Sequence, residues 1–140
     1  MQLENKVTII TGSSGGIGEA LCNAFAREGA PVFMVDLNEE NGRKIESRLR
    51  GQGYKAWFYK ADVSSAKDTE DVFGKIIKMY DHIDILINNA GMAYKATIET
   101  LTEEQWDRQI AVNMKSVYLY SHRVIPIMFT LLPMKEKEID

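Results

Sequence analysis

The sequence predicts a doubly wound, three-layer α/β fold, in which helices cover both faces of a parallel sheet. Short apolar segments alternate along the chain with longer segments that carry apolar residues at helical spacing. This alternation is typical of strand–helix–strand units joined by right-handed crossovers. The chain has 140 residues, 45% of them hydrophobic and 26% charged, which is enough for one domain with a buried core.

Four segments are predicted to be strands because each is short, apolar or rich in β-branched and aromatic residues, and followed by turn residues. They cover residues 7–10, 32–35, 56–59 and 83–87. Parallel strands bring their carboxyl ends to one end of the sheet, which is where open α/β sheets bind ligands.

Residues with known preferences for helix boundaries stand at the ends of the segments between the strands. The first predicted helix ends near Gly29. Asn38 is predicted to cap the second helix, which ends at Gly51. Ser65 with Asp68 resembles a capping box at the start of the third helix.

The fourth predicted helix has the clearest start signal in the chain. Thr102 with Gln105 forms a capping-box pattern directly before an apolar periodic segment. We expect this helix over residues 103–124, ending before Pro126, because the residue that precedes a proline disfavours helical backbone.

A glycine-rich turn connects the first predicted strand to the first predicted helix. Bare glycines let a ligand approach the backbone, and the N–H groups and dipole of a helix N-terminus favour negative charge, so the turn suits a pyrophosphate. Its spacing, G-x-x-x-G-x-G, differs from the commoner G-x-G-x-x-G and lacks the Gly-Lys-Ser/Thr of a Walker A loop. A tight turn without a ligand is the alternative. The candidate contacts are Gly12, Ser14, Gly16, Ile17 and Gly18.

Asp36 ends the second predicted strand. A carboxylate at this position can accept hydrogen bonds from both ribose hydroxyls and would repel a 2′-phosphate. No arginine neighbours Asp36 in the sequence, and the glycine turn carries serines in place of basic residues. NAD is therefore favoured over NADP. A helix-capping or solvated aspartate is the alternative, but it leaves the position of Asp36 after the glycine turn unexplained.

Polar segments also end the third and fourth predicted strands. Asp62 and Val63 follow the third, where a turn aspartate and a contact to an adenine base are equally compatible with the sequence. Residues 88–91 follow the fourth, where the amides could bridge strands and the small residues could let a flat ligand lie against the backbone. The candidate contacts here are Asp62, Val63, Asn89, Ala90 and Gly91.

Asn113 lies among apolar residues inside the fourth predicted helix. Asparagine is mildly unfavourable in a helix interior and usually faces solvent there, which is the default interpretation. The functional alternative is an inward amide, at a bend in the helix, that positions a water molecule.

Composition argues against several classes of protein. The net charge is −3 and no segment is basic, which argues against binding to nucleic acid or to an anionic membrane. The single cysteine, Cys22, excludes an internal disulfide and suggests a reducing, cytoplasmic compartment. We identify no apolar signal segment, and residues 124–134 are too short to span a bilayer. The scattered histidines and cysteine indicate no metal site.

These motifs, in this order, resemble those of the short-chain dehydrogenase/reductase family, in its NAD-preferring single-domain form. The resemblance covers about residues 6–128 and implies a Rossmann-type fold. It is carried by the turn from Thr11 to Gly18, by Asp36, by Asp62 and Val63, by residues 88–91 and by Asn113.

The resemblance implies hydride transfer between a nicotinamide and an alcohol or carbonyl substrate. In this family a tyrosine is the acid/base, a lysine lowers its pKa, a serine polarises the substrate oxygen and an asparagine holds a water in a proton relay. Asn113 occupies the last of these positions. None of the six tyrosines is followed four residues later by a lysine, and the serine-bearing strand is not found.

We therefore expect residues 1–128 to form an incomplete, C-terminally truncated NAD(P)-binding domain, followed by a short tail over 129–140. The chain itself is expected to lack activity, and a non-catalytic nucleotide-binding or partner-binding module is the alternative. The expected strand order, 3-2-1-4, leaves one side of the fourth strand open, so we also expect self-association or pairing with a relative. The sequence does not specify a substrate.

Overall fold

Four parallel strands form the sheet in the order β3-β2-β1-β4, as the sequence predicts. The computed structural model describes residues 1–130. The strands are β1 (Thr8–Thr11), β2 (Val32–Asp36), β3 (Ala56–Lys60) and β4 (Ile85–Ile87). Thr11 pairs with Val35, and Ile10 with Ile87, so these strands reach their carboxyl ends side by side.

Helices lie on both faces of this sheet, which confirms the three-layer prediction. The helices are α1 (Gly16–Arg27), α2 (Glu39–Gly51), α3 (Ala66–Met79), α4 (Glu103–Ile110) and α5 (Ser116–Phe129), with a π-helical turn (Ala111–Lys115) between the last two. Successive strand residues point to opposite faces: Ile9 and Phe33 join the core beneath α3 and α5, whereas Ile10 and Met34 join the core beneath α1 and α2.

The strands begin and end within one or two residues of their predicted limits. β1 starts at Thr8, one residue later than expected, and β4 starts at Ile85 although Ile83 is fully buried. The reason lies in the backbone, since the N–H groups of Asp84 and Ile85 both donate to the carbonyl of Val7. Regular pairing with β1 therefore begins only at Ile85.

The predicted N-caps of α2 and α3 are present, but the capping box expected at Ser65 is only half formed. Asn38 accepts a hydrogen bond from the Asn41 N–H at 3.1 Å. Ser65 accepts one from the Asp68 N–H at 3.1 Å, while the Asp68 carboxylate accepts from the Asp62 N–H and so ties α3 to the turn after β3.

The capping box at the start of α4 is complete in both directions. The Gln105 N–H donates to the Thr102 hydroxyl and the Thr102 N–H donates to the Gln105 side chain, each at 3.1 Å. The start of α4 is thus fixed by its own sequence.

The predicted end of the last helix is wrong. The helix does not stop before Pro126; α5 continues through this proline to Phe129. A proline in a helix interior costs about 3 kcal/mol because it removes a backbone hydrogen bond and crowds the preceding turn. Ile127 and Met128, in the next turn, pack against the core beneath α3 and α5. Burial of two such side chains contributes a comparable amount, roughly 1.5–3 kcal/mol each when complete.

Within residues 1–130, no helix is long and apolar enough to cross a bilayer. The sequence predicts a short tail over residues 129–140. Residues 131–140 of this tail lie outside the part of the chain that the structure describes.

Candidate functional site

A cleft opens at the carboxyl end of the sheet, where the polar segments predicted from the sequence come together. It spans about 490 Å³ of space that is partly open to solvent, and its lining is mostly apolar. Its walls come from the turns that follow all four strands and from α4 and the π-helical turn. The lining residues are Gly12, Asp36, Leu37, Ala61, Val63, Ala90, Gly91, Met92, Arg108 and Val112.

The glycine turn is tightly packed at Gly12 and Gly18 and open at Gly16. Gly12 has a φ of +63°, and a Cβ atom there would lie 2.8 Å from the Ala90 Cα. A Cβ atom on Gly18 would lie 2.0 Å from the Gly12 carbonyl oxygen, which no side chain can tolerate. A Cβ atom on Gly16 would meet nothing within 4 Å. The backbone is therefore accessible at Gly16 and closed to side chains at the other two glycines.

The N-terminus of α1 faces out of this turn without a side-chain cap. Gly15 is the N-cap residue. Because it has no side chain, no side-chain hydrogen bond is made to the N–H groups of the first turn. Ile17, in that first turn, is 73% exposed, which is unusual for an isoleucine. An uncapped twelve-residue helix with accessible N–H groups is a site that favours an anion.

Asp36 closes the turn from the side of β2. Its two carboxylate oxygens accept hydrogen bonds from the N–H groups of Ser14 and Asn38, both at 2.9 Å. The Ser14 carbonyl accepts a further bond from the Asn41 side chain at 2.6 Å. Ser14 is therefore engaged in holding Asp36 and the start of α2 in place.

Asp62 lies in a dense hydrogen-bonded turn after β3. Its Oδ1 accepts from the N–H of Ser64 at 2.9 Å and from the Ser64 hydroxyl at 2.6 Å, and its Oδ2 lies 3.1 Å from Nη2 of Arg108. Partial burial acts to raise the pKa of Asp62, but the bonds from Ser64 and Arg108 outweigh it and hold the pKa below its usual value. Asp62 is thus an ionised carboxylate that can only accept hydrogen bonds.

Thr11 and Asn89 join β1 to the segment after β4. The Thr11 hydroxyl accepts from the N–H groups of Asn89 and Ala90, both at 3.1 Å. The Asn89 amide donates to the carbonyls of Thr11 and Gly12, also at 3.1 Å. The Asn89 side chain thus bridges strands, one of the two roles that the sequence allowed, and it holds the backbone of Ala90 and Gly91 against the cleft.

Asn113 lies in the π-helical turn between α4 and α5. Its side chain forms a two-point contact with one residue: Oδ1 accepts from the Met92 N–H and Nδ2 donates to the Met92 carbonyl, both at 2.8 Å. The amide is therefore directed at the protein backbone beside the cleft, at a local irregularity of the helix. Such π-turns occur frequently at functional sites.

Sequence reasoning missed two residues of the site, both on α4. Arg108 lines the cleft and contacts Asp62 and Ser64, and Gln109 accepts a hydrogen bond from the Tyr94 N–H at 3.0 Å. The one signal in the sequence is that these residues stand five and four positions before Asn113, but polar residues on an amphipathic helix ordinarily face solvent.

The arrangement fits a dinucleotide on three observations. The glycine turn leaves open space at Gly16, the N-terminus of α1 is uncapped, and the N–H of Val63, a lining residue, has no hydrogen-bond partner within residues 1–130. Over the same range no group of three or more histidine, cysteine or acidic residues is placed to hold a metal ion.

Comparison with known proteins agrees with this geometry. The family model described as short chain dehydrogenase matches residues 6–136. A 3-oxoacyl-[acyl-carrier-protein] reductase of Thermotoga maritima is 38% identical over 128 residues, which cover 91% of this chain and 52% of that protein. A cyclopentanol dehydrogenase of Comamonas testosteroni is 36% identical over 124 residues, which cover 89% of this chain and 50% of that protein.

Solved structures give the same result. A 3-ketoacyl-ACP reductase from Sinorhizobium meliloti matches with a TM-score of 0.85 and 30% identity, over 89% of this chain and 49% of that one. A 3-ketoacyl-(acyl-carrier-protein) reductase from Brucella melitensis, complexed with NADH, matches with a TM-score of 0.84 and 33% identity, over 89% and 50%. The chain spans about half the length of the relatives it matches.

Proposed function

This chain belongs to the short-chain dehydrogenase family of oxidoreductases, and on that basis we propose that it binds NAD, with which a relative that carries the full catalytic set would transfer hydride between the nicotinamide ring and an alcohol or carbonyl compound. The names of the relatives support this reaction class, since one is a dehydrogenase of an alcohol and another a reductase of a 3-oxoacyl group. One solved relative holds NADH.

Asp36 is the observation that carries the proposed preference for NAD over NADP. Its carboxylate is fixed by two backbone N–H groups, and each oxygen keeps lone pairs for the hydroxyls of a ribose. A 2′-phosphate at this position would meet a negative charge. Among the lining residues the one cation is Arg108, whose guanidinium is already bonded to Asp62 and Ser64.

The other candidate contact residues take complementary parts in this proposal. The N–H groups of the α1 N-terminus, near Gly16 and Ile17, would bind the pyrophosphate. Ala90 and Gly91 would provide a flat backbone surface beside the nucleotide, and Asp62 and Val63 would contact the adenine.

Asn113 is the one member of the family's catalytic set that the sequence supplies. The nicotinamide carries the hydride when bound. Asn113 holds the Met92 backbone next to the cleft, and that backbone is itself part of the lining. We propose that these 140 residues bind the nucleotide without turning over a substrate, because the Tyr-x-x-x-Lys pair is absent from them.

The proposal is tested by titrating the chain calorimetrically with NAD, NADP and ADP-ribose. We expect weak binding of NAD, equal binding of ADP-ribose, and NADP weaker by about tenfold or more, which corresponds to about 1.4 kcal/mol. In Asp36→Asn the preference for NAD over NADP should fall, because the repulsive charge is removed. In Glu40→Gln, which alters an exposed carboxylate paired with Lys44, the preference should not change.

Failure to bind either NAD or ADP-ribose would contradict the proposed function. Binding of NAD that is much tighter than binding of ADP-ribose would show that the nicotinamide half of the site is formed. Steady production of NADH with any alcohol would contradict the proposed lack of turnover.

A non-catalytic module that pairs with another polypeptide is the second candidate function. Large apolar side chains are exposed on α5 and on the turn before it, which include Met114, Val117, Tyr118 and Ile125. A surface of this kind favours association with a second copy or with a relative. We further propose a reducing, cytoplasmic compartment, in which Cys22 stays a buried free thiol.

A further inference from the structure

Arg108 links two parts of the cleft that are far apart in the sequence. From α4 its guanidinium reaches the turn after β3, where Nη1 donates to the Ser64 hydroxyl at 2.8 Å and Nη2 lies 3.1 Å from Oδ2 of Asp62. Arg108 lines the cleft and its side chain is 35% exposed, whereas the Asp62 side chain is 30% exposed and Asp62 stands in the chain between the lining residues Ala61 and Val63. A planar guanidinium with two such contacts holds its partner in a defined orientation.

The contacts of Asp62 occupy most of the hydrogen-bond acceptor positions of its carboxylate. A carboxylate offers about four lone-pair positions, two on each oxygen. Both positions on Oδ1 are used by Ser64, through its N–H and its hydroxyl. One position on Oδ2 is used by Arg108. The acceptor position that remains is therefore on the oxygen that Arg108 holds.

The next residue offers the complementary group. The N–H of Val63 has no hydrogen-bond partner in the described part of the chain. Asp62 and Val63, adjacent in the chain, thus offer one acceptor held by its neighbours and one unused donor at the wall of the cleft. The edge of adenine carries a donor in its 6-amino group and an acceptor at N1, whereas hypoxanthine carries a 6-oxo acceptor and an N1–H donor. The pair matches adenine at both positions and hypoxanthine at neither.

We propose that Arg108 is a positioning residue that sets the base selectivity of the cleft, by fixing the free acceptor of Asp62 for a 6-amino purine over a 6-oxo purine. The inference rests on the proposed nucleotide binding. Arg108 need not touch the base, since it acts through Asp62.

The test compares ADP-ribose with its hypoxanthine counterpart, inosine diphosphate ribose, by calorimetric titration of the whole chain. We expect the unaltered chain to bind ADP-ribose about tenfold or more tightly than the hypoxanthine analogue, as the loss of one or two matched hydrogen bonds predicts. Arg108→Met keeps an unbranched apolar stem but has no donor, so Oδ2 of Asp62 loses its partner and the ratio should fall, while the two Ser64 bonds to Oδ1 and the N–H of Val63 keep it above one. Arg108→Lys keeps the charge but loses the two-point contact, so the ratio should fall part of the way.

The control is Arg123→Met on α5, which removes an arginine paired with the exposed Glu70 away from the cleft. Its ratio should equal that of the unaltered chain. Circular dichroism reports whether each variant folds, and if Arg108→Met does not fold, Arg108→Lys decides.

Three results overturn the inference in distinguishable ways. Equal weakening of both ligands in Arg108→Met, with an unchanged ratio, would give Arg108 a merely structural role. Equal binding of both ligands by the unaltered chain would remove the base selectivity while nucleotide binding stands. Binding of neither ligand would overturn the proposed function itself, and the inference with it.

Discussion

Single glycines decide what the turn after β1 can hold. Gly12 and Gly18 pack so closely that a Cβ atom would collide with backbone, whereas Gly16 borders open space. The sequence predicts the pyrophosphate turn from its spacing, but spacing alone does not separate glycines that permit packing from glycines that leave room for a ligand. That separation needs the distance from each glycine to its neighbours in space.

Gly16→Ala and Gly18→Ala should therefore have opposite effects. Gly16 lies in the first turn of α1 with nothing within 4 Å of its added Cβ atom, so alanine should keep or raise the free energy of unfolding, by up to about 1 kcal/mol. The same methyl group should weaken ADP-ribose binding by occupying the space we assign to the pyrophosphate. Gly18→Ala should lower the free energy of unfolding by about 3 kcal/mol.

Urea denaturation and calorimetric titration measure the two properties separately. The assignment of Gly16 would be wrong if Gly16→Ala bound ADP-ribose as well as the unaltered chain does. The packing argument would be wrong if Gly18→Ala were as stable as the unaltered chain.

Asp62 should contribute to stability in a pH-dependent way. Partial burial acts against it, but its bonds from Ser64 and Arg108 lower its pKa in the folded chain below the ordinary value of 3.8. A carboxylate with a lowered folded-state pKa stabilises the fold above its unfolded-state pKa and loses that contribution as the pH falls through the folded-state value. The unaltered chain should have a higher free energy of unfolding than Asp62→Asn. This difference should be largest above about pH 4 and should shrink below it.

Urea denaturation at a series of pH values checks this expectation. Asp71→Asn is the matched control, because the Asp71 side chain is 57% exposed on α3 and, among the described residues, forms an ion pair with Lys67 alone, at 3.7 Å. Exposed pairs of this kind contribute little to stability. If the difference in free energy of unfolding between the unaltered chain and Asp62→Asn stayed constant from neutral pH to well below pH 4, a role for the ionised carboxylate would be contradicted.

Among the elements, the strands, α1, α2 and α3 were predictable, while the region after Thr102 was predictable only at its start. Local signals specify the caps at Asn38, Ser65 and Thr102, and the structure contains all three. The π-helical turn and the passage of α5 through Pro126 depend on tertiary contacts, including the Asn113–Met92 contact and the burial of residues after the proline. No sequence window contains those contacts. Arg108 was missed for the same reason.

The capping box of α4 should carry a measurable share of its stability. Thr102→Ala removes the hydroxyl that accepts from the Gln105 N–H and should lower the free energy of unfolding by about 1 kcal/mol. Thr102→Ser keeps the hydroxyl and should retain most of that stability. Urea denaturation of the three chains measures the difference. Equal stability of Thr102→Ala and Thr102→Ser would show that tertiary packing alone sets the start of α4.

At the scale of the whole molecule, the core beneath α1 and α2 is well buried, whereas apolar surface remains exposed on the side of β4. β4 pairs with β1 on one side, and within residues 1–130 no strand covers its other side. Its three residues are only half-buried, although β1 is fully buried. An uncovered parallel strand beside exposed apolar helix residues is a template for pairing with another chain.

Self-association should therefore use α5. Val117 and Ile125 are separated by two helical turns, so they lie on one face of α5, and they are 40% and 48% exposed. Sedimentation velocity should show a mass that rises with concentration for the unaltered chain. Val117→Glu combined with Ile125→Glu should give a monomer, because association would bury unpaired charges. Ile77→Glu, a control at a similarly exposed isoleucine on α3, should not. A monomer at every concentration would contradict the proposal, and equal dissociation by the control would place the contact elsewhere.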